Sequence, residues 1–156
     1  MNYLQELWAA LDFGSLRNIL LRLASVFLCL PTHETCHGLA AYALGDPTAK
    51  RMHRLSLNPL RHIDWMGLLM MVTLGFGWAK PVPVNPNYFR KPKQGMALTA
   101  LAGPAANLIA AYAGALIFYA IGIFAPYNAV VHYILIFFNY YAMINTVLAV
   151  FNLVPI

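Results

Sequence analysis

Charge is what this sequence is shortest of. Of its 156 residues only 10% are Asp, Glu, Lys or Arg, well under half the ~25% of an ordinary soluble domain, while 61% are hydrophobic. From Gln94 to Ile156 there is no acidic residue, lysine or arginine at all, over a stretch long enough for two bilayer crossings at ~20 residues each. A water-soluble globule is thereby excluded, and the chain reads as a polytopic membrane protein. Cysteine is scarce as well. Cys29 and Cys36 are the only two, and on one helix they differ by ~10 Å of rise, beyond the ~7 Å reach of a disulfide. Acidic residues number five against ten basic ones, for a formal charge of +5. Eight of the ten basic residues lie between Lys50 and Lys93, where they flank apolar runs as cytoplasmic loops do. They form no basic face of the kind that holds nucleic acid, so the partner implied is the lipid bilayer.

The expected fold class is an all-α polytopic membrane protein in one domain, with about four apolar helical segments and a short β or extended connector. Residues 1–22 read as an amphipathic lead-in lying on the membrane surface, since Leu4, Leu7, Trp8 and Leu11 recur at helical spacing. Residues 23–44 carry Glu34 as their only formal charge and, at ~1.5 Å per residue, span a bilayer. Gly45-Asp46-Pro47 ends that helix, because glycine suits the cap and proline cannot continue the ladder.

A polar connector covers 45–64, with alternation over Met52–Asn58 that predicts a short strand and with His53 and His62 expected in solvent. Residues 65–79 form a short apolar segment between basic loops, a pattern that favours re-entry over a clean crossing. Residues 80–95 are an extended Pro-rich loop. Residues 96–125 and 129–156 supply two further helices, the first with Ala102, Ala106, Ala110 and Gly114 as a small-residue stripe for close helix packing. The abrupt apolar end at Asn152-Leu153-Val154-Pro155-Ile156 leads us to expect a longer gene product.

The chemistry is concentrated in His33-Glu34-Thr35-Cys36-His37, an H-E-x-x-H pattern. Histidines at i and i+4 share one helical face roughly 5–6 Å apart, within reach of one Zn2+, and the intervening glutamate is placed beside the ion. An ionisable residue in an apolar span costs several kcal/mol unless it is paired, so three in five residues require a reason. A catalytic zinc takes three protein ligands and a water. Here two good ligands are visible, and Cys36, Asp46 and Asp64 are weaker candidates for the third.

Several further motifs follow in order: Gly45-Asp46-Pro47-Thr48-Ala49-Lys50-Arg51, Leu57-Asn58-Pro59-Leu60, the run Gly77-Trp78-Ala79-Lys80-Pro81-Val82-Pro83-Val84-Asn85-Pro86, and Ala102-Gly103-Pro104-Ala105-Ala106-Asn107. With the H-E-x-x-H pattern they make the chain resemble the site-2 protease family of intramembrane zinc metalloproteases, in its short prokaryotic form. The resemblance runs from about Leu23 to the last residue. It implies zinc on His33 and His37, Glu34 as catalytic base and Asn107 near the site. The family's third ligand is an aspartate in an L-D-G sequence shortly after N-x-x-P. Asn152-Leu153-Val154-Pro155 matches the opening of that motif, and the chain ends before the aspartate.

The implied substrates are transmembrane proteins, cut in regulated intramembrane proteolysis at a cell membrane, with the basic loops and the site toward the cytoplasm. Asn107 and Asn152 are candidate oxyanion donors. The amides of Val82 and Val84, on one edge of a segment whose prolines lack donors, are candidates to hold an unwound substrate as an added strand. The alternative class is a catalytically impaired or non-enzymatic metal-binding or scaffold protein, supported by the absent aspartate. The residues imply no oligomeric state.

Overall fold

The structure, a computed structural model, describes residues 16–67, 70 and 80–153. Among the described residues the fold rests on α1 (Leu16–Ala43), a short α2 (Thr48–Arg51), and the long α3 (Pro92–Phe124) and α4 (Ala129–Leu153), all packed against one another except that α2 touches α1 alone. Helices α1, α3 and α4 contain 28, 33 and 25 residues and reach mean hydropathies of 1.2, 1.8 and 1.8. Each exceeds the ~20 residues needed to cross a bilayer.

Residues 16–22, which the sequence assigns to the lead-in, are helical and continuous with the described helix α1. The remainder of that lead-in, most of the 65–79 segment and the last three residues lie outside the described residues. The expected strand does not form: among the described residues there is no strand, and 52–58 runs as turn and extended chain. The reason is visible in its hydrogen bonds. Asn58 turns its side chain back to accept from the Leu60 amide at 3.0 Å, starting a 3-10 turn at Pro59–Arg61. Asn85 does the same for Asn87 at 3.1 Å, starting the turn Pro86–Tyr88. In both Asn-Pro pairs a local cap competes successfully with strand pairing.

The end of α1 follows the sequence closely. Gly45 takes φ +106°, and the amides of Gly45 and Asp46 reach back to the carbonyls of Tyr42 (3.1 Å) and Ala41 (2.9 Å), the pairing that closes a helix on a left-handed glycine.

The core is small in side chain and rich in amides. On α3 the buried face is Thr99, Gly103, Asn107, Ala111 and Gly114, displaced from the Ala102–Ala106–Ala110 stripe, whose members are half-buried at its border. Close approach at Gly114 puts Tyr141 of α4 where a β-carbon would sit, 2.8 Å away. Between α1 and α4 the buried Asn145 donates to Cys29 Sγ at 3.0 Å and to the Tyr141 carbonyl at 2.9 Å. At the start of α1, Arg17 donates to the Tyr133 hydroxyl at 2.7 Å. Such polar bridges hold helices together where lipid offers no hydrophobic gain.

Candidate metal centre

Helix α1 carries His33 and His37 one turn apart, and both rings turn inward, toward α3. His33 is 4% exposed. The imidazole centroids stand 4.5 Å apart at 88°, and the two Nε2 atoms approach to 3.0 Å. His37 Nδ1 is 2.7 Å from the Thr99 carbonyl on α3. A carbonyl can only accept, so that nitrogen carries the proton and Nε2 keeps its lone pair, the arrangement found behind metal-bound histidines.

Two nitrogens bound tetrahedrally at ~2.0–2.1 Å stand ~3.3 Å apart, close to the spacing seen. The facing wall is bare for a reason. A β-carbon on Gly103 would overlap the His37 ring and lie 2.7 Å from His33 Cε1, so only glycine leaves both imidazoles their space. The donor set therefore fits zinc as far as it goes. Among the described residues no third His, Cys, Asp or Glu joins the pair.

The chain resembles a Bacillus subtilis (strain 168) protein named "Putative zinc metalloprotease YwhC". Identity is 39% over 129 residues, covering 80% of this chain and 58% of the relative, so the chain spans under two thirds of that protein's length. No family model matches the chain, and no solved structure matches it.

Glu34 reaches the Pro-rich segment, where its Oε2 accepts the Val82 amide at 2.9 Å. This revises the expectation for Val82: its amide is committed to Glu34 and is no open edge. Val84 is half-buried. Asn107 is fully buried, lies beside His33, and leaves both side-chain atoms without a hydrogen bond.

Asn152 lies near the last described turn of α4. It is exposed and donates to its own helix, to the Leu148 carbonyl at 2.7 Å. The weaker ligand candidates are placed elsewhere. Asp64 caps the helical turn after it, accepting from Met66 (3.0 Å) and Gly67 (2.9 Å). Cys36 is a free, half-buried thiol.

Asp46 faces the connector and not the histidines. It accepts from the Thr48 amide at 2.9 Å and hydroxyl at 2.5 Å through Oδ1, and from the Asn85 amide at 2.7 Å through Oδ2. Burial raises its carboxyl pKa, but the Thr48 and Asn85 bonds and the nearby Arg51 charge outweigh that, so it sits below the ordinary carboxylate value.

His62, expected in solvent, is 2% exposed. Its Nε2 meets the Ser56 carbonyl at 2.7 Å, the same oxygen that accepts from Thr35 of α1 at 2.9 Å. The connector is thus folded onto α1, which buries a histidine that the polar sequence around it seemed to expose. His53, by contrast, is exposed at φ +54°.

Proposed function

We propose that this protein is the membrane-embedded catalytic part of a zinc-dependent endopeptidase of the site-2 protease type. It would hydrolyse peptide bonds of transmembrane substrates, in regulated intramembrane proteolysis. One observation carries the reading: two inward imidazoles with Nε2 atoms 3.0 Å apart, one fixed in tautomer by a backbone carbonyl, in a helix long enough to span a bilayer. The name of the Bacillus subtilis relative supports it independently.

His33 and His37 would hold the ion, which supplies Lewis acidity and a water activated near neutral pH. The third ligand would be the aspartate that the family resemblance implies. Glu34 takes the proton of the attacking water and delivers it to the leaving amine. With Oε2 held by Val82, Oε1 is the oxygen that carries that proton. Asn107 offers its amide N–H to the oxygen on which charge develops. Val84 retains the edge position at which an unwound substrate strand could pair.

The protein would sit in a prokaryotic cell membrane with its basic loops and site toward the cytoplasm. The test is the full-length protein and its Glu34→Gln variant, each reconstituted with a single-span substrate. Cleavage by the first alone, at equal zinc content, supports the reading. Bound zinc without Glu34-dependent cleavage would favour a metal-binding or scaffold role instead.

A further inference from the structure

The Pro-rich segment is pinned at two carboxylates, one on the helix of the histidines and one in the loop that follows it, and only the first belongs to the site described above. Glu34 takes the Val82 amide at 2.9 Å, and Asp46 takes the Asn85 amide at 2.7 Å. Between the two pins the chain is extended, and at ~3.3 Å per residue it covers ~10 Å. Pro83 fixes φ between the pins and Pro81 and Pro86 fix it on either side, which restricts the segment's freedom to bend.

The Val82 side chain closes the same face of α1: a β-carbon on Gly38, one turn beyond Glu34, would meet Val82 Cγ1 at 3.1 Å. Asp46 is in turn rigid. Its side chain is 0% exposed, and Oδ1 is held twice by Thr48. Three hydrogen bonds satisfy both of its oxygens, so the buried carboxylate is a fixed, compensated anchor for the loop backbone.

We infer that Asp46 is a positioning residue that aims the Glu34 carboxylate, acting through the strap Val82–Asn85. The inference rests on the reading of Glu34 as general base. In that role Glu34 must keep one oxygen on the strap and present the other to water, and a carboxylate free to swing would misplace the proton. A misplacement near 1 Å costs on the order of 100-fold in rate.

The experiment uses the full-length protein and three variants, Asp46→Ala, Asp46→Asn and Val82→Pro, with two readouts. The first is hydrogen exchange of the peptide carrying the Val82, Val84 and Asn85 amides, which needs neither zinc nor substrate. The second is cleavage of a single-span substrate in vesicles, with kcat expressed per bound zinc.

Asp46→Ala should speed exchange of that peptide about tenfold and lower kcat about 10- to 100-fold, with KM within about twofold and zinc retained. Asp46→Asn, which keeps an acceptor oxygen, should recover part of kcat. Val82→Pro, which deletes the donor to Glu34 with Asp46 intact, should lower kcat as Asp46→Ala does, and it carries the test with Asp46→Asn if Asp46→Ala does not fold. Wild-type kcat per zinc in Asp46→Asn and Val82→Pro, or unchanged exchange in the Asp46 variants, would overturn the inference. Wild-type protein that cleaves no better than Glu34→Gln would overturn the reading beneath it, and the exchange response would still decide whether the strap is held by Asp46.

Discussion

Gly103→Ala is the substitution that the site geometry resolves most sharply. The added β-carbon would overlap the His37 ring and stand 2.7 Å from His33 Cε1, against an ordinary carbon contact of ~3.5–4.0 Å. One or both rings must therefore withdraw by about 1 Å, while metal–ligand distances tolerate only ~0.2 Å. His37 cannot withdraw without straining its 2.7 Å bond to the Thr99 carbonyl. A comparable disturbance of a histidine's support costs 10- to 100-fold in metal affinity, and we expect the upper end, ~2.8 kcal/mol at about 1.4 kcal/mol per decade.

The fold should not suffer in proportion, because alanine is favoured over glycine in a helix interior by ~1 kcal/mol. The assay is competition for zinc between purified protein and a chromophoric chelator, with thermal unfolding measured alongside. Gly114→Ala is the control: it crowds Tyr141 on the same helix and should leave zinc affinity within about twofold. A Gly103→Ala protein that binds zinc as tightly as the wild type would refute the placement of the two imidazoles against α3.

Three further outcomes follow from the same contacts. Asn145→Ala removes the donor to Cys29 and Tyr141 between α1 and α4 and should lower stability in detergent by about 0.6–2 kcal/mol, with zinc content unchanged. Asp46 has a depressed carboxyl pKa, so its contribution is full above the unfolded value of ~3.9 and is lost as pH falls through the lower folded value; acid unfolding of the wild type should show a limb below about pH 4 that Asp46→Asn lacks. Val84→Pro should abolish substrate cleavage while sparing zinc, and unimpaired cleavage would remove strand addition at this edge.

Much of the fold was legible because membrane helices announce themselves by length and apolarity, and because Gly45 ends α1 through local hydrogen bonds, whereas the Asn58 and Asn85 caps that replace the expected strand were not read. The histidine pair was legible for the same reason: i and i+4 spacing fixes a shared face. The Thr99 carbonyl had no signature, since any residue has one.

Gly103 stood in plain view within a Gly-Pro-x-x-Asn run, but which face of α3 it occupies depends on packing. Of the small-residue stripe, Gly114 lies on the buried face while Ala102, Ala106 and Ala110 border it. Asp46's partners, Thr48 and the Asn85 amide 39 residues away, were not legible, because backbone amides carry no sequence signature. His62 was misplaced for a like reason, as its burial depends on Ser56 docking onto Thr35 of α1.

The central claim is that the chain's histidine pair and Glu34 cleave a peptide bond inside a substrate's membrane span, and product mass spectrometry tests it most directly. Full-length protein and a single-span substrate would be reconstituted in vesicles, and the new termini mapped in the products. The account predicts a cut within the substrate's apolar segment, absent with Glu34→Gln and with a zinc chelator. Cuts confined to the polar flanks, or the same products from Glu34→Gln, would contradict it.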